Sequence, residues 1–149
     1  MADLPERAWP LTRARYLSLA TFRKSGAEVA TPVWAAYEQG HWYVFSAADA
    51  GKVKRLRNDS RARIAVCDLR GRLQGDPLEA TAELLDDPAD IHRALLLLRR
   101  KYGLQMRLAD AGARLTGRFD RRAYIRVELA DRQRRRRRGL TRDLEKRTR

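Results

Sequence analysis

The residues with the clearest chemistry stand at 46–59, Ser-Ala-Ala-Asp-Ala-Gly-Lys-Val-Lys-Arg-Leu-Arg-Asn-Asp. An aromatic, β-like run, Trp42-Tyr43-Val44-Phe45, precedes them, and small residues then let the chain turn tightly. Beyond the turn, Val53 and Leu56 are three apart and share one helix face, while Lys52, Lys54, Arg55 and Arg57 cover the remainder. A helix opening at Gly51 and Lys52 presents free backbone N–H groups, the positive end of its dipole and an ammonium in one place. That arrangement suits a phosphate. A solvated amphipathic helix is the competing reading of the same residues. No Ser-His-Asp or paired-carboxylate constellation accompanies the stretch, and His41 and His92 lack metal-ligand spacing, so no metal site is expected.

The elements that must position this stretch follow from periodicity. Tyr16–Phe22 alternates apolar and small polar residues, as a strand does. Arg23-Lys24-Ser25-Gly26 reads as a hairpin turn. A second strand covers 28–37, with Val29, Thr31 and Val33 on one face and Ala30, Pro32 and Trp34 on the other. Proline cannot donate to a ladder, so at Pro32 this strand lies at an edge, bulges, or faces something other than a strand. Gln39-Gly40 turns the chain into a third strand over 41–45. The helix 52–58 follows, then a buried, nearly continuous apolar strand over 63–67 and a polar loop over 68–77. A fifth strand spans 78–85. Asp86-Asp87-Pro88 opens a helix with Ile91, Leu95, Leu98 and Tyr102 on its apolar face, and Gly103 ends it. A weaker helix covers Leu104–Leu115, and 123–129 alternates strictly as a sixth strand. Six mostly antiparallel strands with few helices predict a mainly β protein, a small barrel closed on itself.

Composition bounds the function. With 149 residues, the chain has room for one core, predicted over 1–130. No run approaches the ~18 apolar residues of a membrane span, and the polar start is no signal peptide, so a cytoplasmic protein without a membrane partner is expected. Cys67 is the only cysteine, in a buried run where it fills space, which leaves no intramolecular disulfide. The net charge of +14 is uneven. Residues 131–149 hold ten Lys/Arg against three Asp/Glu, hence +7 in that segment alone. The unbroken arginines 134–138 have no apolar face, which predicts a basic, mobile tail that binds polyanions loosely. Nucleic-acid binding through this tail is thus an alternative function, although specific recognition is not expected.

Three segments in order carry a resemblance: Leu19-Ala20-Thr21-Phe22-Arg23-Lys24-Ser25-Gly26, Val29-Ala30-Thr31-Pro32-Val33-Trp34, and the basic run from Gly51 to Arg63. The chain resembles the pyridoxamine 5′-phosphate oxidase-like split β-barrel superfamily over about residues 12 to 130. Within it, the chain looks most like the actinobacterial flavin/deazaflavin oxidoreductases that use coenzyme F420. The resemblance implies a six-stranded antiparallel split barrel of the FMN-binding type. It further implies an oxidoreductase that moves a hydride between coenzyme F420 and a small organic substrate, with FMN as the alternative cofactor. A non-catalytic cofactor carrier is a further reading. By the same resemblance the ring lies against Val29, Ala30, Thr31 and Pro32. The phosphate is held by Ser46, Ala48, Asp49 and Lys52, with Lys54 and Arg55 as further cations. Some relatives have an arginine two places before Lys52, where this chain has Ala50. The superfamily's barrels form homodimers with each cofactor in a groove at the subunit interface, so a homodimer is expected. The substrate is left open, to be set by the loop 70–77 and the segment 104–117.

Overall fold

The computed structural model describes residues 4–148, and for 131–137 the backbone alone. A 3-10 turn, Glu6–Ala8, leads into helix α1, Trp9–Arg13. Then come β1 Tyr16–Phe22, β2 Glu28–Val33, β3 Ala35–Glu38, β4 His41–Ala47, α2 Gly51–Asn58, β5 Arg61–Cys67 and β6 Leu78–Leu84. Helices α3 Pro88–Tyr102 and α4 Leu104–Leu115, strand β7 Arg122–Leu129 and helix α5 Ala130–Arg147 complete the chain. All strands join one antiparallel sheet in the order β2-β1-β5-β6-β7-β4-β3. The split-barrel architecture expected from the sequence is present.

The two edges of this sheet, β2 and β3, are consecutive in the chain. The sheet therefore curls until its edges meet at a single residue, Trp34. Seven strands result where six were expected, because the predicted strand 28–37 divides there. The break has a physical cause. The Trp34 ring stacks on Tyr102 of α3 at 4.7 Å between centroids and meets Phe45 edge-on at 6.0 Å. The backbone groups left without a ladder are taken up by α3. The Ala35 N–H donates to the Tyr102 hydroxyl at 2.9 Å, and that hydroxyl donates to the Arg15 carbonyl at 2.8 Å. Burial pushes the Tyr102 phenol up to about 12, so the hydroxyl keeps the proton it donates. Lys101 Nζ donates to the carbonyls of Ala14 and Ala35, both at 2.5 Å, tying the strand break to the end of α1.

Alternation puts Leu17, Leu19, Val44, Ile64, Ile125 and Val127 inside the barrel around the fully buried Trp42. The Trp42 indole donates to the Leu11 carbonyl at 3.0 Å, which seats α1 across one end. On the outside, Tyr43 and Tyr124 pack under Ala94, Leu98 and Met106, so β4 and β7 are covered on both faces. Asp87 caps α3 by accepting from the Ala89 N–H, with Pro88 at the first helical position. Beyond β7 the backbone continues as α5 through the segment expected to be a basic tail. The mobility predicted for the 134–138 arginines falls mostly on side chains outside the described residues. Among the described residues no helix is long and apolar enough to cross a membrane.

Removing the hydroxyl at the strand break leaves a buried N–H without an acceptor. Tyr102→Phe is expected to lower unfolding free energy by about 1–3 kcal/mol, read in urea titrations, with the ring stack and overall fold retained. A midpoint identical to wild type would show that the Ala35 N–H does not depend on that hydroxyl.

Candidate functional site

Strand β4 ends at Ala47, and the turn is held by the Ala48 N–H, which donates to the Arg121 carbonyl at 2.7 Å. Ala50 then caps α2 in an extended conformation, φ −63° and ψ 148°, without a side-chain acceptor for the first-turn N–H groups. Val53 and Leu56 are buried against the barrel, as their spacing predicted. Helical geometry therefore divides the four cations of α2 between two flanks. Lys52 and Arg55 stand on one, Lys54 and Arg57 on the other.

On the first flank, Lys52 Nζ donates to Ser46 Oγ at 3.4 Å, and Arg55 Nε donates to the buried Thr21 Oγ1 at 2.6 Å. The Arg55 guanidinium folds back over the helix start. A Cβ at position 51 would lie 2.7 Å from Arg55 Nη1, so a side chain at Gly51 would force the guanidinium away. Burial and then the neighbouring Arg55 push the Lys52 ammonium below its ordinary range. Burial and then Arg23 lower Arg55 as well. On the strands several arginines are matched: Arg61 with Asp59, Arg63 with Glu28 and Glu79, and Arg126 with Glu83, as is Arg93 of α3 with Glu38. Among the described residues, Arg23, Lys52, Lys54, Arg55 and Arg57 pair with no carboxylate. Of these, Lys52 and Arg55 are partly buried, and neighbouring cations held so without a carboxylate can receive an anion.

This flank borders β2. Thr21, the Arg55 acceptor, is paired in register with Val29. Strand β2 is an edge strand, one of the three settings Pro32 allowed, and Ala30 and Pro32 are exposed on its outer face. Gly71, in the loop between β5 and β6, reaches that face at φ +85°. A Cβ there would stand 3.4 Å from Pro32 Cδ. Thr31 Oγ1 is buried and has no hydrogen-bond partner. A buried hydroxyl left unsatisfied beside an unpaired strand edge fits a polar ligand supplied from outside.

The second flank faces a different space. A cleft of about 980 Å³ lies between the β4–α2 turn and the segment before β7. Ser46, Ala48, Asp49, Lys54 and Arg57 line it from one side, and Arg118, Asp120, Arg121 and Arg122 from the other. Arg122 is a wall rather than a free cation. Its Nη1 donates to Asp110 Oδ1 at 2.6 Å, Arg99 Nε donates to Asp110 Oδ2 at 3.0 Å, and Phe45 and Phe119 flank its guanidinium. Lys54, Arg57, Arg118 and Arg121 remain as open cations, opposed by the Asp49 and Asp120 carboxylates. Asp49 thus works against an anion with its side chain.

The structure therefore sorts the predicted residues. Lys52, Arg55 and Ser46 meet at the start of α2, where Arg55 reaches Thr21 opposite Val29, while Ala30, Thr31 and Pro32 lie further along β2. Ala48, Asp49 and Lys54 turn toward the cleft, and Ser46 stands between both regions. Arg118, Arg121 and Arg122 were not foreseen. Their only signal in the sequence is three arginines within five residues.

A profile of the family described as Pyridoxamine 5'-phosphate oxidase matches residues 6–133. Among curated proteins nothing matches the chain. Solved structures of similar fold include a conserved hypothetical protein of Mycobacterium tuberculosis, at 22% identity and TM-score 0.62, covering 87% of this chain and 82% of that one. The heme storage protein HutZ of Vibrio cholerae shares 12% identity and TM-score 0.62, with coverage of 87% and 91%. An F420 reductase shares 17% identity and TM-score 0.56, with coverage of 85% and 96%. At these identities the likeness is one of fold, and it is the same curled antiparallel sheet. The match over 6–133 and the architecture agree, and this chain belongs to the pyridoxamine 5'-phosphate oxidase family.

Proposed function

We propose that the protein is an oxidoreductase that holds coenzyme F420 across both flanks of α2 and acts on a small organic substrate. The observation that carries this reading is the set of unpaired cations on either side of one helix. Lys52, Arg55 and the uncapped N–H groups at the start of α2 supply charge-assisted hydrogen bonds to a phosphate group. The backbone of Val29–Pro32 and the partnerless Thr31 hydroxyl offer polar groups to a ring lying along the β2 edge. Lys54, Arg57, Arg118 and Arg121 then have a role, since the carboxylates of an oligoglutamate tail need more cations than one phosphate does. When bound, the deazaflavin supplies the hydride chemistry, and the chain's work is to orient it, balance its charge and exclude water.

FMN is the second reading, and Asp49 and Asp120 favour it. They weaken the cleft for a polyanion while leaving the Lys52 flank sufficient for a monophosphate. We also propose that the protein works as a homodimer, the exposed Ala30 and Pro32 face of β2 being completed by a second copy. A stable monomer at micromolar concentration by light scattering would end that proposal.

Titration of the tryptophan fluorescence with each cofactor tests the reading. Lys52→Ala is expected to weaken binding of coenzyme F420 by roughly 1.5–3 kcal/mol, and Lys24→Ala, which changes net charge equally, by less than about 0.5 kcal/mol. Equal losses that vanish in added salt would reduce Lys52 to part of a general field.

The double substitution Arg118→Ala and Arg121→Ala discriminates between the cofactors. It should weaken coenzyme F420 binding by about tenfold or more and leave FMN binding within about twofold. Tight FMN binding in the wild type without deazaflavin binding would assign the site to FMN.

Binding should also depend on pH in a defined direction. The free Lys52 ammonium is held below its ordinary range, and an anion beside it raises it again. Binding therefore takes up a proton between those two values, and affinity falls as pH climbs through that window. Lys52→Arg, charged throughout, is expected to abolish the fall. A slope unchanged in Lys52→Arg would place the titrating group elsewhere.

A further inference from the structure

Helix α4 carries two apolar stripes where a helix lying on one core needs a single one. The inner stripe is used. Met106 is fully buried among α3 and β7 residues, and Asp110 receives Arg99 of α3 and Arg122 of β7. The outer stripe is Leu104, Leu108, Ala111 and Leu115, spaced i, i+4, i+7 and i+11. Its leucines are 69%, 65% and 88% exposed, whereas α2 and α3 leave no large apolar side chain exposed. Single exposed leucines are ordinary, but three in line along one helix form a patch.

The surroundings of that patch are basic. Between α3 and α4 runs a groove of about 700 Å³ with Leu96 and Leu104 in its lining and Arg99, Arg100, Arg107 and Arg114 along it. Asp110 is the only carboxylate lining the groove, and it is already engaged by Arg99 and Arg122. Arg100, Arg107 and Arg114 pair with no carboxylate among the described residues. A second copy on this face would set arginine against arginine with no acid between them. A soluble phosphate would satisfy the arginines but leave the leucines in water.

We infer that the outer face of α4 docks on an anionic lipid surface, with Arg100, Arg107 and Arg114 on headgroup phosphates and Leu104, Leu108 and Leu115 at the acyl boundary. A leucine ridge standing beside a basic groove meets both needs only where charge and apolar material lie at adjacent depths. The docking is peripheral, since α4 has 12 residues and lies on the barrel. The expectation of no membrane partner rested on the lack of a spanning run, which a peripheral surface does not need.

Flotation of the full-length protein with vesicles tests this. Vesicles of phosphatidylcholine containing one quarter phosphatidylserine should carry the wild type, and vesicles of phosphatidylcholine alone should not. Leu104→Ser, Leu108→Ser and Leu115→Ser combined should weaken that partition by about tenfold or more with an unchanged circular dichroism spectrum. Arg107→Gln with Arg114→Gln should weaken it by about 30-fold. The matched change in α5, Leu140→Ser with Leu144→Ser, also removes exposed leucines among basic residues and should leave partition within about twofold. Binding that survives the α4 leucine changes, or is lost with the α5 pair, overturns the assignment to α4. A shift in oligomeric mass in the leucine variant would make the face a subunit interface and overturn it equally. Failure to bind either vesicle, with capture of a leucine-rich acidic helical peptide, would assign the face to a protein partner instead.

Discussion

The meeting of the two sheet edges at Trp34 is the constraint on which the other features depend. A curled sheet whose edge strands follow each other in the chain needs a sharp bend between them, and a bend strands backbone polar groups inside the protein. Here α3 resolves the difficulty through consecutive residues. Tyr102 accepts the Ala35 N–H and stacks on the Trp34 ring, while Lys101 holds the Ala35 carbonyl. Because the bend is satisfied by side chains rather than by another strand, β2 remains an edge along its whole length. That freedom leaves Pro32 tolerable, since its missing N–H interrupts no second ladder.

Electrostatics divides the molecule into a settled part and an unsettled one. Across the outer face of the sheet, cations and carboxylates match, as Arg63 does with Glu28 and Glu79. Such exposed pairs add little stability individually, but they prevent like charges from accumulating. Around α2 the pattern stops. Lys52 and Arg55 donate to the buried Ser46 and Thr21, and burial, then like charge from Arg55 and Arg23 respectively, holds both below their ordinary ranges. Charge repulsion kept beside strands that pair their cations suits an anion.

Asp110 joins the two halves of this picture. Buried on α4, it takes Arg99 from α3 and Arg122 from the start of β7, so one carboxylate fixes the helical layer to the sheet. The same contact holds Arg122 between Phe45 and Phe119 and thereby shapes the wall of the cleft facing Lys54 and Arg57. By turning Asp110 and Met106 inward, the contact also turns Leu104, Leu108 and Leu115 outward. The cleft wall and the outward leucine face thus both relate to one buried carboxylate.

Local pattern was sufficient for much of this. Alternation along Tyr16–Phe22 and 123–129, the three-residue spacing of Val53 and Leu56, and Asp87-Pro88 with Gly103 around α3 each report a backbone state that neighbouring residues impose. Pro32 narrowed its strand to an edge, a bulge or a face without a partner strand, since a missing N–H is a covalent fact, and the sheet order chose the edge. The run from Lys52 to Arg57 announced a basic amphipathic helix for the same reason: charge and 3.6-residue periodicity are written in the chain. What sequence left undecided involves partners far apart. The strand break at Trp34 depends on Tyr102, 67 residues beyond its acceptor contact at Ala35, and the placement of Arg55 depends on Thr21, 34 residues before it. The division of the α2 cations between the β2 edge and the cleft, and the arrival of Arg118 and Arg121 opposite Lys54, were decided by how β7 returns beside β4. Periodicity carries the face of a residue but not the identity of the element that face will meet, and only the closed sheet supplied that.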